Sequence, residues 1–183
     1  MQLFQLKNYN VIFEPITMTI NEFKAIKESN GEDEALTLKE ISYVWFFADI
    51  RSDFQNIINE EDRMFNIMES INLPEGWRPS DFVLRAIVFY KSHNKTPSSG
   101  LYEASVISAQ FIEEQLKSPN TLLDKTDSKG NNMYKLTDVT RLLKDVPDIM
   151  KKLHDARLQV IKEIEAQSSL KGAKSKAMFE DGI

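Results

Sequence analysis

The sequence predicts an all-α protein: an antiparallel helical bundle of about five helices, with an extended N-terminal arm, a projecting loop or small β-hairpin near 120–136, and a flexible C-terminal tail. Three observations carry that expectation. Apolar residues recur at three and four along most of the chain, the period of one helix face. Capping residues and Pro/Gly turns interrupt those runs at helix-length intervals. Residues 1–16 favour extended backbone and show no helical period. The expected organisation is an arm over 1–16, a helical domain over 17–167 carrying the 120–136 insertion, and a tail over 168–183. At 183 residues the chain is long enough to bury a real core.

In the arm, Phe4, Leu6, Tyr9, Val11, Ile12 and Phe13 favour extended backbone, and Pro15 closes the segment. So many apolar groups need cover, from the protein's own core or from a neighbour. Thr19 and Glu22 have capping-box spacing ahead of Phe23 and Ile26. Ser29-Asn30-Gly31 ends that short helix, with glycine suited to the left-handed position past the last turn. A second helix is expected over 32–50, where Leu38, Ile41, Trp45 and Ala48 recur at three and four and Leu36, Val44, Phe46 and Phe47 broaden the face. A helix apolar nearly all round belongs at the centre of the bundle.

Asn59 is placed to cap a third helix, with Glu60, Glu61 and Asp62 in its first turn and Phe65, Met68 and Ile71 as its buried stripe. The turn 73–79 holds Trp77, read either as an interface anchor or as an indole folding back onto its own core. Ser80 caps a helix with Phe82, Val83, Ala86, Ile87, Phe89 and Tyr90 on its apolar positions, ending at His93-Asn94. Thr96-Pro97-Ser98 opens another, through Leu101, Ala104, Ser105, Ile107, Phe111, Ile112 and Leu116, stopped by Pro119-Asn120.

Over 120–136, Thr121-Leu122-Leu123 and Met133-Tyr134-Lys135-Leu136 flank a turn-rich centre, Asp127 to Asn131, which suits a hairpin or a projecting loop. In the last helix Val139, Leu142, Val146, Ile149, Leu153, Ala156 and Val160 form a heptad-like seam. Packing of this seam on the protein's own core is expected ahead of an intertwined dimer. Pro147 falls inside the helix and predicts a kink or restart near Asp145. Residues 168–183 are small, polar and basic, then end in Met178-Phe179 and two acids.

Composition excludes several kinds of chemistry. There is no cysteine, so no disulfide, no Cys-ligated zinc, no iron–sulfur cluster and no thiol catalysis. His93 and His154 are the only histidines and lie far apart. Gly31, Gly76, Gly100 and Gly130 stand alone, so no phosphate-cradling loop is read. The stretch Asp124 to Gly130 fails the spacing of a calcium loop. Asp49, Arg51 and Asp53 cluster after a hydrophobic helix and read as a local ion pair at a helix end rather than as a catalytic or metal pair. No catalytic residue, cofactor or metal is expected.

The longest apolar run, Tyr43 to Ala48, is too short to cross a bilayer, and the first residues do not read as a signal peptide. Net charge is −5, and residues 1–60 hold five Lys/Arg against ten Asp/Glu. That balance argues against a dedicated duplex-DNA binder. The segment 141–176, with nine basic and five acidic residues, leaves room for a local basic patch.

Several segments together resemble a virion protein of crAss-like tailed bacteriophages, in the group placed at the head-to-tail junction as connector or ring proteins. They are the extended start followed by Phe23-Lys-Ala-Ile26, then Ala35 to Phe46, then Ala48-Asp-Ile-Arg-Ser-Asp-Phe54, and finally Gly130 to Lys135 with Asp138-Val-Thr140. In that pattern proline commonly follows the serine at Ser52, where this chain has Asp53. The resemblance implies a non-enzymatic homo-oligomer in the virion neck, made in the host cytoplasm and commonly assembled as a twelvefold ring. Its implied partners are the portal and other neck and tail ring proteins, with at most non-specific proximity to packaged DNA and no membrane.

On this reading the interface residues are Phe4, Leu6 and Tyr9 of the arm, Trp77 of the 73–79 turn, Leu122, Leu123, Met133 and Tyr134 of the insertion, and Lys171, Lys174, Lys176, Met178 and Phe179 of the tail. Two other classes remain open: a helical adaptor or regulatory protein dimerising through the 139–160 seam, and a nucleic-acid binder using the basic region near 141–176.

Overall fold

The computed structural model describes residues 3–7 and 10–180, with side chains throughout except at 10, 121 and 168–180. It is mostly helical. A two-stranded antiparallel hairpin, β1 (Phe4–Lys7) and β2 (Asn10–Phe13), precedes α1 (Asn21–Asn30), α2 (Glu34–Ala48), α3 (Glu60–Ser70), α4 (Asp81–His93), α5 (Ser99–Lys117), the short α6 (Pro119–Leu123) and α7 (Leu136–Glu180). The chain divides into two compact units, one of Met1–Thr96 with Ile161–Ile183 and one of Pro97–Val160, where the sequence suggested one helical domain over 17–167.

The first unit holds the core. α2 packs against α1, α3 and α4, as its broad apolar face requires. Ile41, Tyr43, Val44 and Trp45 of α2 meet Phe23 and Ile26 of α1, Ile67 of α3, and Val83, Ala86, Ile87 and Tyr90 of α4 in one buried cluster. Leu3 and Phe4 belong to the same cluster. The N-terminal segment is therefore a hairpin laid on its own core, with Phe4 opposite Phe13 and Leu6 opposite Val11. A 3₁₀ turn, Pro15–Thr19, returns the chain, and Thr17 Oγ1 donates to the Leu3 carbonyl at 2.9 Å.

Local signals decide where the helices begin. The Asp33 carboxylate accepts from Leu36 N, and Ser80 Oγ accepts from Val83 N. Asn59 Oδ1 accepts from Glu61 N and Asp62 N, at 2.9 and 3.0 Å, ahead of three carboxylates that favour the positive end of α3. Asn59→Ala should cost about 1 kcal/mol in urea unfolding, and Asn59→Asp should restore most of it; equal stability of the alanine variant would contradict this. The expected capping box at Thr19 does not form. Thr19 Oγ1 bonds back to the Ile16 carbonyl, and α1 starts after Ile20 without a side-chain cap. Gly31, at φ +59°, ends α1 as predicted.

Two buried stripes differ in phase from the sequence reading. On α3 Ile67 and Arg63 are buried while Phe65 is 63% exposed. Arg63 is drawn in because its guanidinium donates to the carbonyls of Ile57 and Ile58 and holds the connector before α3. On α2 Leu38 is exposed, whereas Glu40 is buried, accepting from Trp77 Nε1 at 2.9 Å and Asn30 Nδ2 at 2.7 Å.

In the second unit, α5 buries Tyr102 and Ala109, and the insertion buries Leu122 of α6. The centre of the insertion is a small hairpin-like turn, with a bridge between Thr126 and Asn132 and Gly130 at φ +82°. Asp127 organises it, accepting from the backbone N–H groups of Lys129 and Asn131. The Asn131 N–H, followed by that of Lys129, holds its carboxyl below the usual carboxylate range.

All seven seam residues of α7, from Val139 to Val160, are buried or half-buried within the chain. The helix runs through Pro147 without a restart and extends past 168 to Glu180, beyond the boundary expected for a tail. The side chains of 168–183 lie outside the described residues.

Candidate functional site

Asp49 is the centre of a buried polar cluster in the first unit. Asp49 stands just past the last turn of α2, where a carboxylate opposes the helix dipole, so its presence needs a partner. Arg51 supplies it in a two-pronged pair, Nε to Oδ1 at 2.9 Å and Nη2 to Oδ2 at 2.6 Å. Tyr90 Oη, from α4, donates to Oδ2 at 2.6 Å. The Asp49 side chain is 2% exposed and that of Arg51 26%. Every oxygen of this carboxylate is engaged, so the cluster joins α2 to α4 and has no lone pair directed at a ligand. The ion-pair reading of the sequence holds, while Asp53 opens a separate 3₁₀ turn, Asp53–Asn56.

Burial, then the Asp49 charge, pushes the Tyr90 phenol far above its ordinary value of 10.0; burial, then Glu60, raises that of Tyr43. A phenol whose folded value is raised contributes stability that is intact below its unfolded value and is lost as pH climbs past it. Stability should therefore fall above pH 10, by up to about 1.4 kcal/mol per pH unit for each of the two tyrosines. Denaturant midpoints at pH 9, 10 and 11 check this, and a flat profile to pH 11 would contradict it.

His93 ends α4 with its ring stacked on Phe89 at 5.9 Å, and His154 is exposed. Among the described residues no group of three or more His, Asp and Glu could hold a metal ion, and no helix is long and apolar enough to cross a membrane.

The surface that stands out is apolar and lies on the second unit. On α5, Leu101 is 74% exposed and Ile107 66%, with Phe111 beside them. Tyr102 and Ala109 mark the inward side of this helix. On α7 a second row, Leu136, Leu143 and Met150, follows a seven-residue repeat offset from the shielded seam, and all three are exposed. An open groove of about 380 Å³ runs beside its start, lined by Leu136, Thr137, Thr140, Arg141 and Lys144. Tyr102, Ala109, Leu122, Val139 and Val160 are the buried apolar residues of this unit among those described. Among the described residues its exposed large apolar side chains outnumber its fully buried apolar ones.

The predicted interface residues are distributed unevenly. Phe4 is fully buried and so is core, while Leu6 is exposed on the hairpin. Trp77 is half-buried, its indole bonded to Glu40 and edge-on to Tyr43 at 4.8 Å, so it folds back onto its own unit. Leu122 is buried and Leu123 half-buried, whereas Met133 and Tyr134 are exposed next to Leu136 in sequence. Tyr9 and the side chains of Lys171, Lys174, Lys176, Met178 and Phe179 lie outside the described residues. The α5 and α7 outer rows were missed as surfaces. Their signal was present as apolar residues off the main stripe on each helix.

No protein-family model, curated protein or solved structure matches the chain.

Proposed function

We propose that this chain is a structural, non-enzymatic assembly protein of a tailed bacteriophage virion. It forms a ring at the neck that joins the capsid portal to the tail and surrounds the DNA exit channel. The observation that carries the assembly part is the second unit, whose α5 and α7 carry more exposed large apolar side chains than fully buried ones among the described residues. The phage-neck part rests on the sequence resemblance in the arm, in α2 and in the insertion. The acidic balance of residues 1–60 suits a protein that neighbours DNA without holding it. Its partners on this reading are further copies of itself, twelvefold by resemblance, together with the portal and adjacent ring proteins. The shielding of the 139–160 seam weighs against the adaptor reading, because that surface is already used within the chain.

Mixing the purified protein with a candidate portal and imaging by negative-stain electron microscopy tests the proposal. Rings seated on the portal are the expected result. A protein that stays a lone particle beside the portal and is absent from mature virions would overturn it.

A further inference from the structure

We infer that the outer row of α5 is the docking face for the outer row of α7 on a second copy of this chain. The inference rests on the self-assembling part of the function proposed above and adds the surfaces that meet.

Two exposed rows stand out among the described residues, and they differ in charge. The α5 row, Leu101, Ile107 and Phe111, is flanked by Glu103 and Glu114, both exposed. With about 100° of rotation per residue, these glutamates lie along one margin of the row, and the only cation of the helix, Lys117, is paired with Glu113. The α7 row, Leu136, Leu143 and Met150, has the opposite border. Lys144 and Lys151 each directly follow a row residue, about 100° round the helix, and both are exposed. Asp148 and Asp155 lie further round, away from the apolar row. None of Glu103, Glu114, Lys144 and Lys151 is in an ion pair among the described residues.

An acid-bordered apolar row therefore matches a base-bordered one. Pairing like rows across a two-fold axis would set glutamate against glutamate or lysine against lysine, which is costly. Pairing α5 with α7 joins opposite charges and covers both rows. The contact is heterologous: each copy offers one face of each kind, so every docking event leaves one of each unsatisfied. Such contacts propagate until the copies close into a ring, or continue as a filament.

The absence of native cysteine makes the test unambiguous. Phe111→Cys and Leu143→Cys are made as separate single variants and treated with a short bismaleimide linker, alone and mixed. The expected result is a cross-linked dimer in the mixture and little in either variant alone. Cross-linking of Leu143→Cys with itself would show an isologous α7 contact and overturn the inference. Absence of any cross-link would overturn it as well.

Charge reversal gives a second, independent readout by sedimentation velocity. Glu103→Lys with Glu114→Lys should weaken self-association about tenfold or more, and adding Lys144→Glu with Lys151→Glu in the same chain should recover it. Unchanged helicity by circular dichroism separates this from misfolding, and wild-type association in the first variant overturns the inference. If these tests fail while the portal still captures rings, the docking faces are wrong and the proposed function stands. If they succeed and the portal captures nothing, the self-contact stands and the neck assignment falls.

Discussion

Asp49→Asn should cost about 3 kcal/mol in denaturant unfolding and leave a protein that opens between α2 and α4. The carboxylate is almost wholly buried and takes donors from Arg51 and from Tyr90. The amide keeps the shape but loses the charge, leaving the guanidinium unpaired and one hydrogen-bond position mismatched. Breaking a buried pair by removing one partner costs about 3–5 kcal/mol. The lower end applies because the Arg51 side chain is a quarter exposed and can recruit water. Tyr90→Phe alone should cost about 1.5–3 kcal/mol, the usual worth of a hydrogen bond to a charged group. The two changes share a partner, so the double variant should cost clearly less than their sum. Strict additivity, or a loss under about 1 kcal/mol for Asp49→Asn, would mean that the cluster does not tie the two helices.

The position of Asp49 also shows what a sequence reveals and what it conceals. The cluster with Arg51 was legible because the two residues are close neighbours and the geometry is local. Tyr90 was not, because it arrives from α4 and looks in sequence like another apolar stripe residue. Glu40 follows the same logic. Periodicity assigns a glutamate outward and Leu38 inward, yet Asn30 and Trp77 supply donors that make the glutamate the buried one. The fold class, most helix boundaries and the centrality of α2 were readable because caps and apolar density act locally.

The faces of α5 and α7 show the complementary limit. α5 carries apolar residues on more than one side, and its sequence gives no reason for Tyr102 and Ala109 to be covered rather than Ile107 and Phe111. On α7 the row Val139 to Val160 is legible as a heptad-like repeat, and the structure shields it, with Val139 and Val160 buried and the five residues between them half-buried. The parallel row of Leu136, Leu143 and Met150 is hard to read from sequence, because one seam already accounts for the helix. A second, exposed apolar row on a helix whose first row is shielded is the feature on which the proposed assembly rests.

Phe4→Ala should be as costly as the loss of Asp49, at about 3–5 kcal/mol, whereas Leu6→Ala two residues later should cost under about 1 kcal/mol. Both residues lie in a segment whose composition suggests a detachable arm. The structure gives them opposite roles. Phe4 is fully buried and meets Phe23 edge-on at 5.5 Å and Tyr90 edge-on at 5.0 Å. Its removal leaves a cavity bounded by α1 and α4 and loosens the tyrosine that donates to Asp49. Leu6 on the same strand is about half exposed and has little burial to lose. The contrast separates two pictures of the N-terminus. If the segment were an arm that orders only on a neighbour, both substitutions would leave monomer stability unchanged and would weaken assembly instead. If it is part of the core, Phe4→Ala lowers the denaturant midpoint before any partner is added, and deletion of residues 1–14 leaves Phe23 and Tyr90 uncovered and the monomer unfolded. Urea unfolding of the two alanine variants decides the matter, and equal midpoints would return the hairpin to the status of an arm.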